Sequence, residues 1–313
     1  MIVDQNKRKF ALLLRCGGSS VMTRSVVFAL VFVLGVGSAF ADDSALFWSL
    51  SRDGEPAGYL LGTIHSEDPR VLDFSEHFIE QLTSNRFFAM EMVPDLPTLA
   101  LLTEYMHYQD GTRLIDVIGP VRFGKLNAIL SDYQVPGDWV AGMKVWAAMM
   151  TLSVPPPKSG FFMDFSLSLR AAGAGLKVIG LETLEQQLSF LEDMPLEQQL
   201  QLLDHALLEY EKVGEIHEQM VDSYLGGDLM VLESLAEEQM TELAPETRDY
   251  FMQQGIDARN LRMMESLLPQ LDQGTVFVAV GALHLPGETG LVNLLRKNGF
   301  EAEPLSLPFS ASE

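Results

Sequence analysis

TVFVAVGALH, residues 275–284, is the stretch from which the fold can be read. Residues 275–280 make a continuous, largely apolar and β-branched run without polar alternation. Such a run reads as a strand covered on both faces, within a parallel sheet that has helices on either side. The run ends in Gly281-Ala282-Leu283-His284, which delivers a histidine just beyond the carboxyl end of a buried strand.

The same arrangement occurs near the other end of the chain. YLLGTIH, residues 59–65, is an apolar strand that ends in Gly62-Thr63-Ile64-His65. It closes a hairpin-like entry, with strands expected at 45–51 and 58–64 around the turn Asp53-Gly54-Glu55-Pro56. A helix over 74–85, behind the candidate caps Asp73 and Ser75, and a strand over 87–93, closed by Pro94, complete a strand-helix-strand unit whose strands are expected to pair in parallel. Residues 98–153 read as mostly helical, with breaks near Gly111, Pro120 and Pro136-Gly137. A helix over 162–172 and a strand over 177–181 follow; Thr183-x-x-Gln186 then fits a capping box. Residues 196–268 are helical, interrupted at Gly226-Gly227 and Pro245, and a helix over 291–297 and a strand over 300–305 end the chain. The expected fold is α/β: a central, mostly parallel or mixed sheet flanked by helices, in one domain over 42–313, with the helical segment 196–268 as a cap.

Residues 26–40 form an apolar run behind Arg24 that leads into Ala39-Phe40-Ala41 and Asp42-Asp43. A basic flank, a short apolar stretch and an A-x-A exit describe a signal peptide over 1–41, cleaved after Ala41. Met22 would make an equally good start of such a peptide. The expected location is periplasmic or secreted. Cys16 is the only cysteine of the chain, so residues 42–313 offer no thiol nucleophile, thiolate ligand or disulfide.

The 313 residues carry a formal charge of −22. Lys7, Arg8, Lys9, Arg15 and Arg24 lie in 1–41 against Asp4 alone, leaving 16 basic and 42 acidic side chains, a net −26, in the remainder. Nucleic acid is excluded as a partner, because its phosphates require a basic face. An anionic membrane surface is also excluded once the leader is removed.

With 25 Gly and 6 His, chance alone supplies about half a G-x-x-H match. Placement adds weight, because open α/β sheets bind ligands at the carboxyl ends of their strands. A glycine there allows a turn or the close approach of another group. His65 and His284 therefore read as metal ligands, with Glu91 and Glu182, each at or near a strand end, as candidate carboxylate complements. His77, His107, His205 and His217 lie in helical stretches without a paired ligand pattern and read as packing or surface residues.

YLLGTIH (59–65), a strand carrying Glu91, MDFSLSLRAAGAGLKVIGLET (163–183), YLGGDL (224–229), DARN (257–260) and VGALHLPGETGL (280–291), in this order, resemble the TraB/GumN family, which is related to the Tiki proteases. The resemblance implies an α/β fold shared with erythromycin esterase and the haem-binding protein ChaN, and a divalent-metal-dependent hydrolase. It maps the family's paired motifs onto His65 and His284 and its acidic strand end onto Glu91. It further brings in Glu182 of the Gly-Leu-Glu-Thr block, Arg259 and Asn260. Where relatives often have Gly-Leu-Asp, this chain has Phe162-Met163-Asp164, so Asp164 is carried over without its glycine.

Two imidazoles and a carboxylate on one ion, with manganese, cobalt or zinc as options, leave a position for water whose pKa the ion lowers. The substrate class is a peptide or small molecule. Glu91 serves as third ligand or general base, Arg259 as oxyanion or carboxylate partner, and Asn260 as orienting group or cap. Glu182 either holds a histidine tautomer or pairs with Arg259. The alternative is a protein of the same fold that binds a metal, a haem or a small ligand without turnover.

Overall fold

The computed structural model describes residues 44–307 and 309. The signal peptide, its cleavage after Ala41, the start at Met22 and Cys16 lie outside them.

The entry hairpin is β1 (Phe47–Arg52) and β2 (Glu55–Thr63). After the short α1 (Pro69–Leu72), α2 (Glu76–Thr83) starts on the side-chain cap of Ser75 and buries Phe78 and Leu82. β3 is Phe87–Met90, all of it buried. Four helices follow: α3 (Leu96–Tyr105), α4 (Leu114–Asp132, kinked at Gly119-Pro120), α5 (Gly137–Gly142) and α6 (Val145–Leu152). α7 (Met163–Gly173) leads into β4 (Lys177–Gly180), and α8 (Leu184–Glu192) opens on the Thr183/Gln186 capping box read from the sequence. Then come α9 (Leu196–Glu209), α10 (Val213–Gly226), α11 (Leu229–Met240) and α12 (Pro245–Tyr250). A π-helical stretch, Phe251–Asp257, runs directly into α13 (Ala258–Leu271). β5 (Val276–Gly281), α14 (Leu291–Lys297) and β6 (Glu301–Leu305) complete the chain.

The fold is α/β, as expected: a six-stranded mixed sheet in the order β4-β3-β5-β2-β1-β6, flanked by helices. β2, β5, β3 and β4 run parallel, and β1 is antiparallel to both β2 and β6. One expectation needs correction. β2 and β3 do run in the same direction, but they are not neighbours, because β5 lies hydrogen-bonded between them. The reason is burial: the most continuously apolar strand takes the centre, where both faces are covered. There Phe277 meets Phe47, Tyr59, Phe78 and Phe88.

Two apolar clusters hold the domain together. One is built on the sheet with α2, α7, α13 and α14, and also takes Val221 and Tyr224 of α10 and Leu229 and Leu232 of α11. The other joins α4, α5, α6, α8 and α9 around Trp146 and Leu203. The stretch 196–268 thus contributes to both clusters. Among the described residues, no helix is long and apolar enough to cross a membrane.

Candidate functional site

β2 and β5 end side by side, with Gly62 opposite Val280 and Thr63 opposite Gly281. Met90 lies opposite Ala279 on one side and Gly180 on the other. Parallel pairing therefore sends His65, the 281–284 turn, Glu91 and Glu182 off the same edge of the sheet. The glycines are needed for close approach. A Cβ on Gly62 would sit 2.7 Å from Leu285 Cδ1 and 3.0 Å from Ala282 Cα, where the turn Ala282–His284 folds back against β2. A Cβ on Gly281 would crowd Glu91 Oε1 at 3.3 Å, the atom to which the Gly281 N–H donates at 2.8 Å.

His284 is buried. Its Nδ1 lies 2.6 Å from Asn260 Oδ1, an acceptor, so Nδ1 carries the proton and the Nε2 lone pair is free. Nε2 faces Glu91 Oε1 at 3.8 Å. Burial pushes the imidazole down to about 4, opposed by Glu91 and aided by Arg259, so the ring is neutral at neutral pH. Burial alone would raise the Glu91 carboxyl. His284, Arg259 and the Gly281 N–H together outweigh it and hold Glu91 at about 2.

Arg259 ties two carboxylates together. Its Nη2 reaches Glu91 Oε2 at 2.5 Å and Glu182 Oε2 at 2.7 Å, and its Nε donates to Glu182 Oε2 at 2.9 Å. Glu182 is fully buried and is pushed up by that burial, with Arg259 opposing and Glu91 reinforcing the rise. Arg259 and Asn260 are consecutive on α13, so they point about 100° apart. One meets the carboxylates and the other the histidine. Of the two roles open to Glu182, the structure has it paired with Arg259, while the His284 tautomer is held by Asn260.

His65 stands at the rim of a cleft of about 530 Å³, which Glu91, Asp164 and Gly281 also line. Its side chain is 61% exposed, stacks on Phe162 with ring centres 3.9 Å apart, and has Nδ1 3.9 Å from Asp164 Oδ2. Asp164 accepts a short hydrogen bond from the Thr63 hydroxyl. Among the described residues, no three His, Cys, Asp or Glu side chains gather closely enough to form a ready-made metal cluster.

The sequence reading gave several neighbours no role in the site. Gln187 donates to Glu91 Oε2 at 3.1 Å from the first turn of α8, one residue beyond the capping box that might have drawn the eye to it. His217, read as a packing or surface residue, lies 3.1 Å from Ser66 Oγ, next to the first motif. Tyr224 donates to the Gly62 carbonyl at 2.7 Å. Glu67 accepts from the backbone N–H groups of Lys158, Ser159 and Gly160 and from the Ser159 hydroxyl, which pins the loop before Phe162. Tyr224 opens the YLGGDL block, but no local pattern tells what any of these residues touches, because each acts through a partner far away in sequence.

The donor chemistry suits a divalent cation. A neutral imidazole lone pair and an ionised carboxylate face each other with no proton between them, and the other imidazole nitrogen is anchored from behind. The buried Asn260 Nδ2 and Gln187 Oε1 have no hydrogen-bond partner among the described residues, as at sites whose polar groups are completed by a ligand, whereas Glu182 Oε1 is ion-paired with Arg262 at 3.6 Å. His284 and Glu91 are the facing donors, and His65 stands apart from that pair at the rim of the cleft.

The sequence profile of the TraB/PrgY/gumN family matches residues 46–304. Metalloprotease TIKI1 of Danio rerio is 25% identical over 316 residues, covering 84% of this chain and 63% of the relative. Metalloprotease TIKI2 of Xenopus tropicalis is 24% identical over 335 residues, with 89% and 64% covered. Metalloprotease TIKI homolog of Nematostella vectensis is 22% identical over 316 residues, with 83% and 67% covered. The chain thus spans less than two thirds of the length of the first two relatives. No solved structure matches the chain.

Proposed function

The chain belongs to the TraB/PrgY/gumN family, and from that membership and the site's geometry we propose that it is a divalent-metal-dependent hydrolase of the periplasm that cleaves peptide bonds. The observation that carries this reading is the His284 ring: Asn260 holds its Nδ1 proton, and its free Nε2 faces the Glu91 carboxylate at 3.8 Å. Names of the relatives support the reaction class. Export is supported by the signal-peptide pattern of residues 1–41. No nucleic-acid or membrane partner is proposed for the net-acidic chain.

His284 and Glu91 would hold the ion, with His65 as the third ligand that the family's paired motifs carry over; manganese, cobalt and zinc are the metals to test. When bound, such an ion supplies a water of lowered pKa and polarises the substrate carbonyl. Both Glu91 oxygens already accept, Oε1 from the Gly281 N–H and Oε2 from Arg259 and Gln187, which suits a fixed ligand better than a general base that must take up a proton. Arg259, already shared between Glu91 and Glu182, neutralises the carboxylates instead of reaching for the substrate. Asn260 orients His284, while Phe162 stacks on the His65 ring and Asp164 lies 3.9 Å from its Nδ1.

The test is elemental analysis of purified protein after exposure to manganese, cobalt or zinc, beside cleavage of a mixed peptide library with and without chelator. About one ion per chain, lost in His284→Ala and His65→Ala, together with chelator-sensitive cleavage, is the expected result. Full occupancy in the doubly substituted protein ends the proposal. A binding protein without turnover is the second reading, favoured by His65 standing apart from the His284–Glu91 pair. It predicts metal uptake without cleavage.

A further inference from the structure

α3 is an apolar helix with nothing buried. Its sequence is LPTLALLTEY, yet none of its ten residues is buried; Leu96 is 82% and Leu99 41% exposed. Exposed apolar area costs about 25 cal/mol per Å², so a helix of this composition is stable in place only if something else fixes it or covers it. Asp95 caps it through the Thr98 N–H at 2.9 Å, and it rests against α8.

The uncovered face is continuous with the candidate site. Leu99 and Leu102, three residues apart and so on one side of the helix, line the cleft that His65 and Glu91 also line. Met90, Met92, Phe162 and Phe165 supply more of its apolar wall. The charged side chains there are Glu91 and Asp164, and no lysine or arginine lines the cleft. The wall beside α3, away from Glu91 and any ion held there, is apolar and offers a substrate carboxylate no cationic clamp.

We propose that α3 sets the specificity of the cleft: a bulky, uncharged apolar side chain, from an internal stretch of a peptide, seats against Leu99 and Leu102. This rests on the reading of the cleft as a peptidase site. Burying one large aliphatic or aromatic side chain is worth about 1.5–3 kcal/mol. At roughly 1.4 kcal/mol per factor of ten, that is a preference of about tenfold or more over glycine or aspartate at the same position.

The experiment uses the full chain and four fluorescein-labelled peptides, blocked at their carboxyl ends as amides and differing only in a central Leu, Phe, Gly or Asp. Binding is read by anisotropy and cleavage by mass spectrometry, with manganese, cobalt and zinc present in turn. The wild type is expected to bind the Leu and Phe peptides at least about tenfold tighter than the Asp peptide. Leu99→Ser and Leu102→Ser should each lose most of that preference, whereas Leu208→Ser, an exposed leucine that does not line this cleft, should keep it. A preference in binding without cleavage upholds the apolar subsite and ends the peptidase reading. Cleavage with no choice between Leu and Asp overturns the subsite and leaves the peptidase reading standing. Equal binding of all four peptides, or a preference that survives both substitutions, also overturns it.

Discussion

Asn260 Oδ1 and His284 Nδ1 meet at 2.6 Å, joining the start of α13 to the turn that follows β5. That bond fixes the proton on Nδ1 and leaves Nε2 as the reactive nitrogen. Asn260→Ala removes the acceptor and strands a buried N–H, so it should cost about 1–3 kcal/mol of folding stability. Loss of an outer partner of a metal-binding histidine typically weakens metal affinity by about 10–100-fold. Urea denaturation and calorimetric titration with manganese check the two effects separately. A stability loss with unchanged affinity would make Asn260 a purely structural residue.

Acid should destabilise the protein early. His284 titrates ordinarily near 6.5 and in the fold at about 4, so the unfolded chain takes up its proton first. Its contribution is complete above about 6.5 and drains away as the pH falls to about 4. Glu91, lowered from 4.5 to about 2, acts in the same sense over the next interval down. Glu182, raised by burial, acts in the opposite sense, favouring the fold at low pH. Thermal melts of the wild type should therefore fall from pH 7 to 4, while His284→Gln flattens the upper part of that decline. Parallel curves for the two proteins would contradict the assignment.

Arg259→Ala should be among the most damaging single changes, because it leaves Glu91 and Glu182 buried without their shared cation. Breaking a buried ion pair from one side costs about 3–5 kcal/mol. Adding Glu182→Gln to Arg259→Ala should return part of that loss, since one stranded charge is then gone. The readout is a double-mutant cycle in urea. Strict additivity would mean that the two residues do not depend on one another.

Glu67→Ala should free the loop that carries Lys158. Four donors, three of them backbone N–H groups, converge on the Glu67 carboxylate. Without it, tryptic cleavage after Lys158 should quicken several-fold under native conditions, because local opening controls access to such sites. Mass spectrometry of a timed digest locates the cut. An unchanged rate after Lys158 would show that the loop is held by other contacts.

Much of the candidate site was legible as positions and little of it as contacts. His65, Glu91, Glu182 and His284 stood out because each ends or follows an apolar strand. The glycines of both motifs pointed to close approach, and the structure shows what approaches: the Ala282–His284 turn at Gly62 and the Glu91 carboxylate at Gly281. The roles of Arg259 and Asn260 were open in the sequence. Their partners lie 77 and 24 residues away, and nothing local distinguishes a surface arginine from one that meets two buried acids.

The amino-acid sequence by itself determined the elements and their class. Strand and helix follow from apolar periodicity and from caps such as Thr183 and Ser75, which act over a few residues. Tertiary structure alone decided that β5 enters between β2 and β3, and that helix α13 turns Asn260 to one ring and Arg259 to two carboxylates. Those outcomes depend on which apolar faces are buried together and which charges are left to be neutralised once water has gone. Both are properties of the assembled domain rather than of any local stretch.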